Sequence, residues 1–90
     1  MKIYIIIVDS SDFVQVVQDK IQSLGKYYKI SEKCFILSSD RDRAQNVYDE
    51  LSGGTKIGLV VFEIKTETAI NYWGYSNKEL WKWLNDNKIE

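Results

Sequence analysis

The feature that most constrains this chain is its first strand-like run, Ile3-Tyr4-Ile5-Ile6-Ile7-Val8. It is β-branched and almost wholly apolar. Such a run reads as a central strand covered on both faces. It stops at Asp9-Ser10-Ser11-Asp12, where a serine can cap a helix and Asp12 suits the positive end of the helix dipole. Six apolar residues without a small-residue cleavage site do not make a secretory signal. They are also far short of the roughly 20 needed to span a membrane.

Next come Phe13, Val17, Ile21 and Leu24, at spacings of four, four and three. That is one apolar helical stripe, and Gly25 is expected to stop it. Lys26 to Ser39 reads as extended structure broken near Ser31-Glu32-Lys33. The break fits either a tight hairpin or a bulge in one bent strand. Ser39-Asp40 is expected to open a second helix whose stripe is Ala44, Val47, Tyr48 and Leu51. Ser52-Gly53-Gly54 ends that helix. Ile57 to Ile64 reads as another central strand. Ala69 to Tyr75 reads as an edge strand or an irregular segment. Ser76 and Glu79 form a capping box ahead of a short helix over Asn77 to Asn85.

This order predicts an α/β (α+β) chain. The expected fold is a ferredoxin-like βαββαβ sandwich with an extra C-terminal aromatic segment and short helix. Residues 1–90 make a single domain, because 90 residues leave no room for a second. A flavodoxin-like sheet is the alternative, but it normally needs more βα units.

Composition excludes several chemistries. There is no histidine, so neither a Ser-His-Asp triad nor a histidine zinc site can be assembled. The single cysteine, Cys34, cannot form an intrachain disulfide, which points to a cytoplasmic setting. It sits in the apolar run Cys34-Phe35-Ile36-Leu37, where a buried strand position explains it better than a nucleophile without a base. Twelve basic and 13 acidic residues give a net charge of -1, which argues against a dedicated non-specific DNA binder. Gly53-Gly54-Thr55-Lys56 lacks the spacing of a phosphate loop and precedes a strand.

Three features remain as candidate sites. Asp9 and Asp12, just past the end of a central strand, are placed to hold a divalent cation such as Mg²⁺. Turn and capping chemistry explains the same residues without any function. Arg41 and Arg43 can contact phosphate, hence nucleic acid, although mixed charge at a helix start is commonly a solvated first turn. Tyr72, Trp73, Tyr75, Trp81 and Trp83 form a dense aromatic cluster. Packing or a partner interface is the usual use of such residues, and base stacking is another.

Tyr4-Ile5-Ile6-Ile7-Val8-Asp9, Cys34-Phe35-Ile36-Leu37-Ser38-Ser39 and Leu59-Val60-Val61-Phe62-Glu63-Ile64 are carried in an order that resembles a known family. Trp73-Gly74-Tyr75 and Glu79-Leu80-Trp81-Lys82-Trp83-Leu84 are similar to the tail of its short stand-alone relatives. The family is the second CRISPR-associated family of core proteins, the small partner of the CRISPR integrase. The resemblance implies a ferredoxin-like homodimer. Some members are metal-dependent nucleases whose first-strand aspartate binds a metal across the dimer axis, and others hold DNA beside the integrase. Asp9 alone carries over, as catalytic residue and Mg²⁺ ligand. The other readings are a non-enzymatic interaction or regulatory module, with Trp73, Tyr75, Trp81 and Trp83 at a protein-partner interface, and a toxin-like RNase of related fold.

Overall fold

The computed structural model describes residues 1–64, together with Lys82, Trp83 and Asp86. β1 (Lys2–Val8) leads through a 3-10 turn (Ser11–Phe13) into α1 (Val14–Ile21). β2 (Gly25–Ser31), β3 (Cys34–Ser39), α2 (Ala44–Ser52) and β4 (Leu59–Ile64) follow. The strands form one four-stranded sheet in the order β2-β3-β1-β4. Every neighbouring pair is antiparallel. Residues 1–64 thus form a mixed α+β fold, a sheet with two helices. The expected edge strand and short helix over residues 69–85 lie outside the described residues, apart from Lys82 and Trp83.

Period-two alternation splits β1 between the two faces of the sheet. Tyr4, Ile6 and Val8 are sealed against the helices with Phe35, Leu37 and Leu59. Val14, Val17 and Ile21 of α1, with Leu24 beyond it, close the other side of this core, together with Val47 and Leu51 of α2. Both helices therefore cover the same face. Of the stripes anticipated from sequence, Val17, Ile21, Leu24, Val47 and Leu51 fall on these positions, while Phe13, Ala44 and Tyr48 pack against the core partly buried. Each fully buried aliphatic side chain contributes about 1.5–3 kcal/mol.

The break in the Lys26–Ser39 segment combines both alternatives. Ser31 pairs with Cys34 across a two-residue turn at Glu32-Lys33, and the register slips between Lys29 and Ser31. Gly53 ends α2 as expected, in the left-handed region at φ 62°, donating its amide to Asp49.

Three expectations are corrected. α2 does not open at Ser39-Asp40. Ser39 is still in β3 and fully buried, and Arg43 is the residue before the first turn. The Ser39 hydroxyl is already engaged, donating to the Leu24 carbonyl at 2.7 Å and accepting from the Arg41 amide at 3.2 Å. Gly25 does not stop α1, which ends at Ile21; it begins β2. Its role there is close approach, since a Cβ would lie 2.0 Å from the Ser38 carbonyl oxygen. Finally, among the described residues, β4 is not central but ends the strand order. An apolar run at a sheet end looks the same in sequence as one in the middle.

Leu37 is fully buried between β1, β2 and the helices. Leu37→Ala is expected to cost about 2–5 kcal/mol, read as a lowered urea midpoint at unchanged slope.

Candidate functional site

Asp9 is built by the end of β1. The Val8 amide donates to the Lys33 carbonyl at 2.8 Å, and the Asp9 amide donates to the Gly58 carbonyl at 2.7 Å. The backbone is pinned on both sides, and the Asp9 side chain stands exposed where the strand ends. A Cβ on Gly58 would sit 3.0 Å from Asp9 Oδ2, so the missing side chain leaves the carboxylate its space. Ser10 is the cap: its hydroxyl accepts from the Asp12 amide at 3.2 Å. This assigns Asp12 to the helix start and leaves Asp9 as the lone carboxylate outside the cap. Among the described residues, no three Asp, Glu, Cys or His side chains gather as metal ligands would.

Arg41 and Arg43 are treated differently by the fold. The buried Tyr4 hydroxyl donates to the Arg41 carbonyl, which ties the loop after β3 to β1. The Arg41 guanidinium then grips Glu50 with Nε and Nη2, the latter at 3.1 Å from Oε1, and also reaches Asp40 at 2.8 Å. The arginine hydrogen bond pulls the Glu50 carboxyl below its ordinary range, and Glu50 in turn raises the guanidinium. A phosphate would have to displace two carboxylates from Arg41. Arg43 is exposed, and its side chain is paired with no described residue. Its carbonyl accepts from the Asn46 and Val47 amides.

Trp83 packs against Ile3 and Ile36 on the outer face of the sheet, the face away from the helices. Trp73, Tyr75 and Trp81 lie outside the described residues. A cavity of about 500 Å³ opens beside Leu24, Gly25, Lys26, Ser38, Arg41 and Asp86, away from Asp9.

Sequence reasoning missed the outer face itself. Ile3 and Ile36 are buried there and Ile5 is half-buried, but Ile7, Val60 and Phe62 are 42%, 44% and 52% exposed. Register makes them neighbours: Ile7 pairs with Val60, and Ile5 with Phe62. The signal was present in the apolar strands, but an apolar residue does not announce which face lacks a cover. Cys34 lies opposite Ile7 on this face, and burial pushes its thiol up, away from a reactive thiolate. No protein-family model, curated protein or solved structure matches this chain. No helix among the described residues is long and apolar enough to cross a membrane.

The Arg41–Glu50 pair gives a signed pH dependence. A carboxyl lowered in the folded state stabilises above its unfolded value of 4.5, and the gain is lost as pH falls through the folded value. Glu50→Gln is therefore expected to lower the urea midpoint at about pH 7, with the difference from the parent protein shrinking as the pH falls below 4.5. A midpoint difference that persists in acid would contradict the pairing. The pair is exposed, so the effect is small.

Proposed function

We propose that this chain is a small protein-interaction module that pairs with a second copy of itself, on a ferredoxin-like βαββαβ frame. The frame is supported by the element order, by the strand order β2-β3-β1-β4, and by antiparallel pairing throughout. The observation that carries the functional reading is the adjoining exposure of Ile7, Val60 and Phe62. Scattered exposed apolar residues mean little, whereas neighbouring large ones on a sheet mark a surface that something covers. A second copy suits this patch because it carries no charge of its own. Two like-charged patches would repel, while two neutral apolar ones do not.

Phe62 projects on the outer face and takes no part in the sealed core. Phe62→Lys is accordingly expected to convert a dimer into a monomer in sedimentation velocity, with an unchanged far-ultraviolet spectrum. A parent protein that stays monomeric up to high concentration would overturn the proposal.

A second reading is favoured by the exposure of Asp9 past the Val8 end of β1 and of Arg43, a cation in the loop at the opposite, Lys2 end of that strand. In that reading the protein is nucleic-acid-associated, and Asp9 from each of two copies holds one Mg²⁺. One carboxylate per chain fits this ion only if the second copy brings its own, with water filling the remaining positions. The ion would supply Lewis-acid activation of water; the chain's own part is to fix Asp9 through the Gly58 carbonyl. Asp9→Ala is expected to abolish Mg²⁺-dependent cleavage of a phosphodiester substrate. Undiminished metal-dependent cleavage by that variant would remove Asp9 from the chemistry.

A further inference from the structure

An open sheet has two edges, and each presents backbone donors and acceptors that can recruit another strand. The two edges of this sheet are not alike. β2 carries Lys26 and Lys29, and its register slips between Lys29 and Ser31. Lysines and a bulge are devices that blunt an edge. β4 has neither. Its register with β1 runs unbroken from Leu59 to Ile64, and Glu63 is its single charge. Among the described residues, none pairs with its outer edge.

The direction of its polar groups follows from one hydrogen bond. Asp9 donates to Gly58, which makes that pair a bonded one. Alternation then turns the N–H and C=O groups of Val60, Phe62 and Ile64 toward β1, and those of Val61 and Glu63 outward. The Leu59 carbonyl also points outward, while its amide is held by the Ile57 carbonyl at 2.9 Å.

We infer that the outer edge of β4 pairs antiparallel with β4 of a second copy, about a two-fold axis at Val61. The inference rests on the self-pairing proposed above and says where it occurs. In this register the two Val61 residues exchange both backbone bonds, and each Glu63 amide donates to the other copy's Leu59 carbonyl, whose donor is the one already in use. Val60 comes opposite Phe62 of the second copy in both halves, on the same face, in the non-bonded positions where side chains lie closest. The exposed patches of the two copies then join. The two Glu63 carboxylates stand four residues apart along the ladder, about 13 Å by strand rise. Shifting the register by two residues would bring them to about 7 Å, which disfavours that alternative. The pairing also sets the two Asp9 residues roughly 25 Å apart, from six residues along the strand and three strand spacings across. An edge dimer and a shared metal at Asp9 therefore exclude one another.

The test combines one variant with one measurement on the unaltered chain. Proline is tolerated where a strand N–H faces outward, so Val61→Pro removes the recruiting donor and spares the bonds to β1. Sedimentation velocity is expected to show a dimer for the parent protein and a monomer for V61P. In parallel, hydrogen exchange on the unaltered protein is expected to slow about tenfold at the Val61 and Glu63 amides between micromolar and millimolar concentration, with the Val60 and Phe62 amides slow throughout. Concentration-independent exchange at Val61 and Glu63 overturns the inference. So does a V61P dimer. If V61P remains dimeric while Phe62→Lys does not, the sheets associate by their faces: the self-pairing stands and the edge does not. A parent protein that is monomeric throughout removes both.

Discussion

The structure depends on β1 being hydrogen-bonded on both sides. Its even-numbered residues pair toward β3 and its odd-numbered ones toward β4, and the ladder runs through to Val8–Lys33 and Asp9–Gly58 at its end. Because side chains alternate, the same strand supplies both faces. Tyr4, Ile6 and Val8 anchor the core under the helices, while Ile3, Ile5 and Ile7 form the spine of the outer face. Removing water from the first set is what holds the helices on. The second set has a graded fate, from buried Ile3 to exposed Ile7, and that gradient runs along β1 toward its Asp9 end, where Ile7 and its partner Val60 are both exposed.

Tyr4 links this spine to the charged end of the molecule. A fully buried phenol needs a partner, and it finds the carbonyl of Arg41. Burial first, then the nearby Glu63 and Asp42 carboxylates, push its ionisation up. The phenol thus keeps its proton in the fold, a contribution present below the ordinary value of 10.0 and lost as pH rises beyond it. With Ser39 bridging Leu24 and the Arg41 amide, the loop before α2 is fixed by main-chain contacts before its guanidinium is considered. The guanidinium then meets Glu50 and Asp40, so Arg41 is engaged within the chain, while Arg43 two residues on stays exposed.

Much of the fold was legible because it rests on local chemistry. The stripes Val17–Ile21–Leu24 and Val47–Leu51, the left-handed Gly53 and the Asp9–Asp12 turn follow from periodicity and capping. What was not legible depends on partners distant in sequence. Ser39 reads as a helix cap until Leu24 takes its hydroxyl. Gly25 reads as a helix stop until β3 lies against it. The run Leu59–Ile64 looks central because composition reports burial on average, not position in a sheet. At the candidate site, Asp9 and Asp12 read as a pair in the sequence, and only the Ser10 cap on the Asp12 amide sets the two apart. The engagement of Arg41 by Glu50, nine positions away, had no local signature.

The central claim is that one sheet carries a permanently sealed face and an outer face that another molecule finishes. Methyl NMR with a soluble paramagnetic probe tests it most directly, because the probe relaxes only methyls that solvent can reach. The account predicts that Ile6, Val8 and Leu37 methyls are untouched at every concentration. Val60 methyls should relax strongly in dilute solution and lose part of that enhancement as the protein is concentrated, because Phe62 of the second copy comes to lie opposite them. Ile7 and Val60 methyls shielded even at the lowest concentration would contradict it, since the outer face would then be finished by the chain itself.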